Sequence, residues 1–345
     1  MSDNRLIDIA PLGARWQTLD PFLFCAYHKD AYPPGNKDMG PMDSLAGRAI
    51  GQDFSGKDGW SMYHGERVPG FPQHPHRGFE TVTVVRQGFI DHSDSLGASA
   101  RFGEGDLQWM TAGRGIVHSE IFPLLQQEAD NPTELFQIWL NLPAGSKMVD
   151  PYFSMFWRHH IPSLKLSDTQ GLETTIVNYC GPSPGSSTDG DRPPPPPPDS
   201  WAADPANGVV IWTIRIVPGA VWTIPATDER CNRRLFYFDG SNAEICGQTV
   251  TADHAVTLAA GQDIPLRNGL AESEFLLLQG LPIGEPVAHY GPFIMNDEQG
   301  LRQAFADYQT TGFGGWPWPN DGPTHPRSET CFAKHPDGRL EKATD

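Results

Sequence analysis

Basic residues are in short supply: 25 Lys and Arg stand against 42 Asp and Glu, a formal charge of −17, and nowhere do the cations cluster. Such a chain repels phosphate backbones. Direct nucleic-acid binding, which needs grouped Lys and Arg to release counterions, is therefore excluded. Long apolar runs are missing as well, since stretches such as Phe275 to Leu278 fall far short of the ~20 residues that span a bilayer. The start, Met1-Ser2-Asp3-Asn4-Arg5, lacks the basic-then-apolar order of a secretory signal. These absences predict a soluble, cytoplasmic protein with no membrane contact, nuclear localisation remaining open in a eukaryotic cell. Cysteine is sparse too. Cys25, Cys180, Cys231, Cys246 and Cys331 are scattered and form no CxxC pair, which excludes a four-cysteine zinc site and predicts reduced thiols.

Glycine and proline, by contrast, are plentiful: 36 and 33 residues, a fifth of the chain against about 12% on average. This argues against a helical bundle and for short strands separated by turns, an all-β class. Alternating apolar blocks agree, at Glu80 to Val85, Leu135 to Leu142, Val209 to Ile216, Ala220 to Ile224, Leu235 to Phe238 and Phe275 to Gln279. In the second block Phe136, Ile138, Leu140 and Leu142 give a strand with one wholly apolar side. From about 181 to 207 the composition turns to Ser, Asp, Gly and Pro, with six consecutive prolines from Pro193 to Pro198, and predicts an exposed, stiff insertion. One helix is legible, capped by Asn296, carrying Asp297 and Glu298 where the dipole favours acids, burying Leu301, Phe305 and Tyr308, and ending at Gly312. Beyond it the sequence predicts an irregular tail that packs Trp316 and Trp318 on the body.

The chemistry concentrates in His74-Pro75-His76-Arg77-Gly78-Phe79-Glu80 and, further on, His118-Ser119-Glu120. Residues two apart on a strand share a face, so His74 pairs with His76 and His118 with Glu120. Two such strands facing each other inside a barrel would bring three imidazoles and a carboxylate to one mononuclear metal site. Neutral imidazole suits Fe, Mn, Cu, Ni and Zn, and a single carboxylate leaves positions open for a ligand or dioxygen. Glu80 has the same parity as His76, and parity alone does not choose between Glu80 and Glu120. Arg114 lies in a turn from which it would reach an anionic substrate or turn carbonyls. His92, beyond the turn after the first motif, would line the pocket mouth or, as the preferred reading, sit in a solvated loop; His254 and His289 lack an HxH or HxE neighbour, and His159-His160 reads as an exposed connector.

Three segments carry a resemblance: HPHRGFETV at His74 to Val82, GDLQWMTAGRGIVHSE at Gly105 to Glu120, and HYGPFIMN at His289 to Asn296. The chain resembles the pirin family of the cupin superfamily. The resemblance implies two tandem cupin barrels, double-stranded β-helices of the jelly-roll kind, with a short C-terminal helix: residues 1–160 the metal-binding barrel, 161–295 a barrel without metal ligands containing the proline-rich insertion, and 296–345 the helix and tail. It further implies His74, His76, His118 and Glu120 as metal ligands, favours Glu120 over Glu80, and makes Fe(II) the first choice of ion. The activity it implies is oxidative ring cleavage of a flavonol such as quercetin by dioxygen, with Glu120 also accepting a proton. The alternative is an iron-dependent module that binds a protein partner as a transcriptional co-regulator or redox sensor. The segment from Ala31 to Val68, the proline insertion and the tail depart from the compact family pattern.

Overall fold

The computed structural model describes residues 4–185 and 192–343, and among them nearly all regular structure is strand, with one α-helix, Glu298–Thr311. No helix among these residues is long and apolar enough to cross a membrane. The chain divides into two compact units. One comprises the chain up to Ala26 with Ile138–Asn141 and His159–Gly284; the other comprises Tyr27–Gln137, Leu142–Arg158 and the chain from Glu285 onward. Each is built on paired antiparallel sheets, as expected of two tandem cupin barrels.

In the first-named unit a seven-stranded sheet runs Leu6–Pro11, His254–Leu258, Asn232–Asp239, Ser273–Gly280, Val210–Ile216, Glu173–Cys180, Ser163–Ser167, beside a four-stranded sheet from Val221–Ile224 to Gln248–Thr251. Ile214, Leu235, Val256, Leu266 and Leu277 fill its core. Each such side chain contributes about 1.5–3 kcal/mol on burial. The Leu6–Pro11 strand pairs with His254–Leu258, so the start of the chain completes the C-terminal barrel and does not belong to a barrel of residues 1–160. Sheet pairing, not chain order, draws the boundary.

The other unit sets the strands Tyr152–Phe156, Leu107–Thr111 and Phe79–Gln87, with residues 131–137 of Asn131–Asn141 and 27–32 of Phe22–Tyr32, beside the sheet Leu340–Lys342, Phe332–Lys334, Ser99–Gly103, Phe89–Asp94, Ile116–Ile121, Gly70–His76. Val85, Phe102, Met110, Leu135 and Phe153 pack within it. The tail is thus less irregular than expected: Phe332–Lys334 pairs with Ser99–Gly103 and extends the sheet. Trp316 joins the cluster under the helix, and the Trp318 indole donates to the Asp94 carbonyl. Buried Arg101 fastens this segment, with Nε and Nη2 each 2.7 Å from Asp91 and the other donors reaching the carbonyls of His325, Pro326 and Glu329.

Two local expectations need correction. The helix cap is Asp297, whose carboxylate accepts from Gly300 N at 2.7 Å, while Asn296 donates to Glu285 and the Pro286 carbonyl. Gly312 ends the helix at φ 54, as expected. In the proline run only Pro195 and Pro198 are exposed and Pro197 is buried, so the segment lies against the body; residues 186–191 of the insertion lie outside the described residues.

Candidate metal centre

The HxH and HxE strands do not face each other across the barrel. Gly70–His76 and Ile116–Ile121 are neighbours in one sheet, with His74 directly opposite His118 and Phe71 opposite Glu120. A register shift between Phe71 and His74 puts Phe71, His74 and His76 beside the HxE strand. The ring centroids stand 4.7 Å apart for His74 and His76, 4.5 Å for His74 and His118, and 4.9 Å for His76 and His118. One ligating nitrogen from each lies within 4.8 Å of the other two. This is the one such cluster found among the described residues.

Gly78 ends the first strand at φ 84, where a Cβ would come within 1.9 Å of the Ile294 carbonyl oxygen. Arg77, beside it, bridges to Phe293, donates from Nε to the Arg114 carbonyl, pairs with Asp307 at 2.7 Å and lies over the Phe313 ring. The three signature segments therefore meet at this turn. Arg114 itself is exposed and paired with Asp150 at 3.0 Å.

Electrostatics favour metal-ready donors. Burial lowers His74 to about 4 and pushes His76 and His118 well below the usual histidine range, so all three are neutral at pH 7. The Pro72 carbonyl accepts from His74 Nδ1 at 2.8 Å, which leaves the lone pair on Nε2. Phe79 sets its ring edge-on to His76 at 5.0 Å. Among the described residues, neither ring nitrogen of fully buried His118 has a hydrogen-bond partner. Such an orphan costs about 1–3 kcal/mol unless something else takes the lone pair.

Glu120 is 2% exposed, and its Oε2 lies 4.0 Å from His118 Nε2. Two donors on one ion, each about 2.1 Å from it, are separated by no more than about 4.2 Å, so 4.0 Å sets Glu120 at the edge of the three-imidazole cluster. The same oxygen accepts from Gln137 Nε2 at 2.5 Å, and Oε1 accepts from the Thr83 hydroxyl at 3.2 Å, both donors coming from the other sheet. Burial raises the Glu120 pKa against these donors and the nearby His92. Glu80 points elsewhere. It alternates with Thr83 along Phe79–Gln87, takes the opposite face, and accepts from Thr111 at 2.6 Å. The residues present thus fit a divalent ion held by three imidazoles, with Glu120 the adjacent carboxylate.

The sequence reading misplaced one neighbour and missed two. His92 is a fully buried residue of Phe89–Asp94, opposite Glu120 in register, 5.5 Å from the His118 ring and 3.3 Å from Asp94; it is no loop histidine. Its signal was the pattern His92-Ser93-Asp94 on a third strand. Gln137 and Thr83 carried none, being single polar positions in apolar strands. His159 and His160 are exposed, as expected. A cavity of about 200 Å³ adjoins His92 through Asp94 and Phe153 and is lined also by Tyr152, His335 and Arg339. It is smaller than the roughly 300–1,000 Å³ that receive drug-sized ligands.

Comparison with known proteins places these features in a lineage. Residues 5–140 match the Pirin family model and residues 211–314 the model of the Pirin C-terminal cupin domain. A pirin-like protein of Caulobacter vibrioides is 35% identical over 250 residues, 71% of this chain and 80% of that protein. Pirin-1 of Arabidopsis thaliana is 36% identical over 247 residues, 71% and 78% of the two chains. A Vibrio cholerae protein provisionally named quercetin 2,3-dioxygenase is 34% identical over 255 residues, 71% and 80%. Among solved structures, a quercetin 2,3-dioxygenase of Acinetobacter baumannii has the same fold, with a TM-score of 0.69 over 90% of this chain and 98% of that one at 23% identity. On the family models and the extent of these matches, the chain belongs to the pirin family.

Proposed function

We propose that this protein is a metal-dependent dioxygenase that cleaves the heterocycle of a flavonol such as quercetin, holding one divalent ion, Fe(II) first among the candidates, through His74, His76, His118 and Glu120. One observation carries the proposal: three neutral imidazoles, His76 and His118 buried and His74 partly exposed, converge within 4.8 Å, His118 having neither ring nitrogen hydrogen-bonded among the described residues, beside a buried carboxylate. The relatives named for quercetin 2,3-dioxygenase supply the substrate class. When bound, the ion would acidify the flavonol 3-hydroxyl and order flavonol and dioxygen side by side. Burial raises the Glu120 pKa, which makes its carboxylate a stronger acceptor for the hydroxyl proton. Gln137 and Thr83 hold its carboxylate in place, and Phe79 shields His76 from water. In the overall reaction both atoms of dioxygen enter the products and one ring carbon leaves as carbon monoxide.

The test loads the protein with Fe(II) under argon, admits quercetin and air, and follows loss of flavonol absorbance together with carbon monoxide. Turnover that disappears in His118→Ala supports the proposal. Full iron occupancy with neither signal refutes it.

A further inference from the structure

We propose that a rim of three rings, Phe54, His64 and Phe71, receives the substrate, and that it selects a planar aromatic molecule carrying hydroxyl groups. The inference rests on the dioxygenase reading and deepens it.

Phe71 anchors the rim to the metal centre. It is opposite Glu120 in the sheet, so the two side chains share a face, and its ring stands 6.4 Å from His74. From there the rings lead outward. His64 is 5.8 Å and Phe54 6.5 Å from Phe71, and Phe54 meets His64 edge-on at 5.1 Å. Phe54 is 57% exposed and so leaves ring surface open to a ligand. The 200 Å³ cavity on the side of His92 is too small for a flavonol, whereas His74 is the partly exposed member of the imidazole cluster and faces this rim.

The segment between Tyr32 and Gly70 is built to hold these rings. Buried Tyr63 stacks on Phe71 at 5.2 Å, adopts φ 56, and is pinned by its hydroxyl donating to Asp30 at 2.7 Å. A non-glycine residue in that conformation costs of order 1–3 kcal/mol, and the surrounding bonds must supply it. Arg48 supports the same segment, stacked over Trp60 and paired with Asp53 at 3.0 Å. The exposed ring edges and faces suit an aromatic plane, which prefers offset or edge-on partners. His64 adds hydrogen bonding. Its Nδ1 donates to the Gly51 carbonyl at 2.8 Å, so Nε2 carries the lone pair at an exposed position and accepts from a hydroxyl.

The experiment titrates quercetin and unsubstituted flavone into the full-length, Zn(II)-loaded protein under argon, comparing wild type with Phe54→Ala, His64→Phe and the remote surface control Leu270→Ala. Losing one ring contact predicts about threefold to tenfold weaker binding of both ligands to Phe54→Ala. His64→Phe keeps the ring and removes the acceptor, so quercetin weakens several-fold and flavone does not. Zinc content stays at the wild-type level throughout, and Leu270→Ala binds as wild type does. Unchanged quercetin binding by Phe54→Ala, or no quercetin binding by the wild type, overturns the rim. If the pattern holds and the iron form releases no carbon monoxide in air, the rim stands and the dioxygenase reading alone falls.

Discussion

Gln137→Leu isolates the support of the metal-side carboxylate without touching a ligand. The Gln137 amide donates at 2.5 Å to Oε2 of Glu120, the oxygen 4.0 Å from His118 Nε2, and the second donor, Thr83, is longer at 3.2 Å and serves the other oxygen. Leucine nearly matches glutamine in size, so packing is preserved and the hydrogen bond alone is lost. A bond to a charged group is worth about 1.5–3 kcal/mol, or roughly 10- to 100-fold in an equilibrium constant, which matches the usual effect of removing a residue that orients a metal ligand. Burial already raises the Glu120 pKa, and losing this donor raises it further. Protons and the ion compete for this carboxylate, so the defect should be larger at pH 6 than at pH 7.5. Competition against a chromophoric chelator at both pH values measures it. A dissociation constant within threefold of wild type at both would refute the role given to Glu120 and its donors.

Glu120→Gln should lower metal content while Glu80→Gln, on the other face of its strand, leaves it at the wild-type level; metal analysis after chelator dialysis decides, and the reverse result would move the carboxylate to Glu80. Arg101→Leu leaves Asp91 a buried, unpaired charge, an expected loss of about 3–5 kcal/mol in urea melts with proteolytic nicking after Trp318, and Asp91→Asn added to it should restore part of the loss. Burial raises Asp30 to about 6 against its bonds from Tyr63 and Ser61. The folded state therefore binds a proton that the unfolded state does not until near pH 4, and the penalty present at neutral pH is relieved as pH falls through 6. The stability of wild type relative to Asp30→Asn should rise by roughly 2–3 kcal/mol from pH 7.5 to 4, and a pH-independent difference would contradict the raised pKa.

The parts of the centre legible in the sequence are those fixed by parity within one strand. His74 with His76 and His118 with Glu120 each follow from period two, and the structure joins the pairs side by side. Parity failed where it was carried across a strand end. Counting from His76 to Glu80 passes through Arg77 and Gly78, where the chain leaves one sheet and enters the other, so Glu80 inherits no face from His76. Thr83 and Gln137 were hidden because a single polar residue in a strand has no partner nearby in sequence, and each acquires its meaning only when strands from two sheets meet; His92 had Asp94 two residues on, but its strand had not been placed beside His118-Ser119-Glu120. The same nonlocality hid the domain boundary, since Leu6–Pro11 finds its partner at His254–Leu258. Turn and cap signals erred by one residue at Asn296 because Asp297 is an equally good cap residue and the Asn296 amide is engaged by Glu285 and the Pro286 carbonyl.

The formal charge of −17 takes on a narrower meaning once the site is built. A flavonol entering as its anion would meet a surface that repels it, and the two arginines nearest the signature turn offer no relief: Arg77 is bonded to Asp307 and a carbonyl, and Arg114 is paired with Asp150. Three neutral imidazoles and one carboxylate around a divalent ion leave a net single positive charge at low dielectric, where attraction is strongest. On the proposed reading the ion therefore supplies the attraction for an anionic oxygen as well as the chemistry. The aromatic rim bears the neutral rings, and the acidic remainder of the surface discourages anions from binding anywhere else.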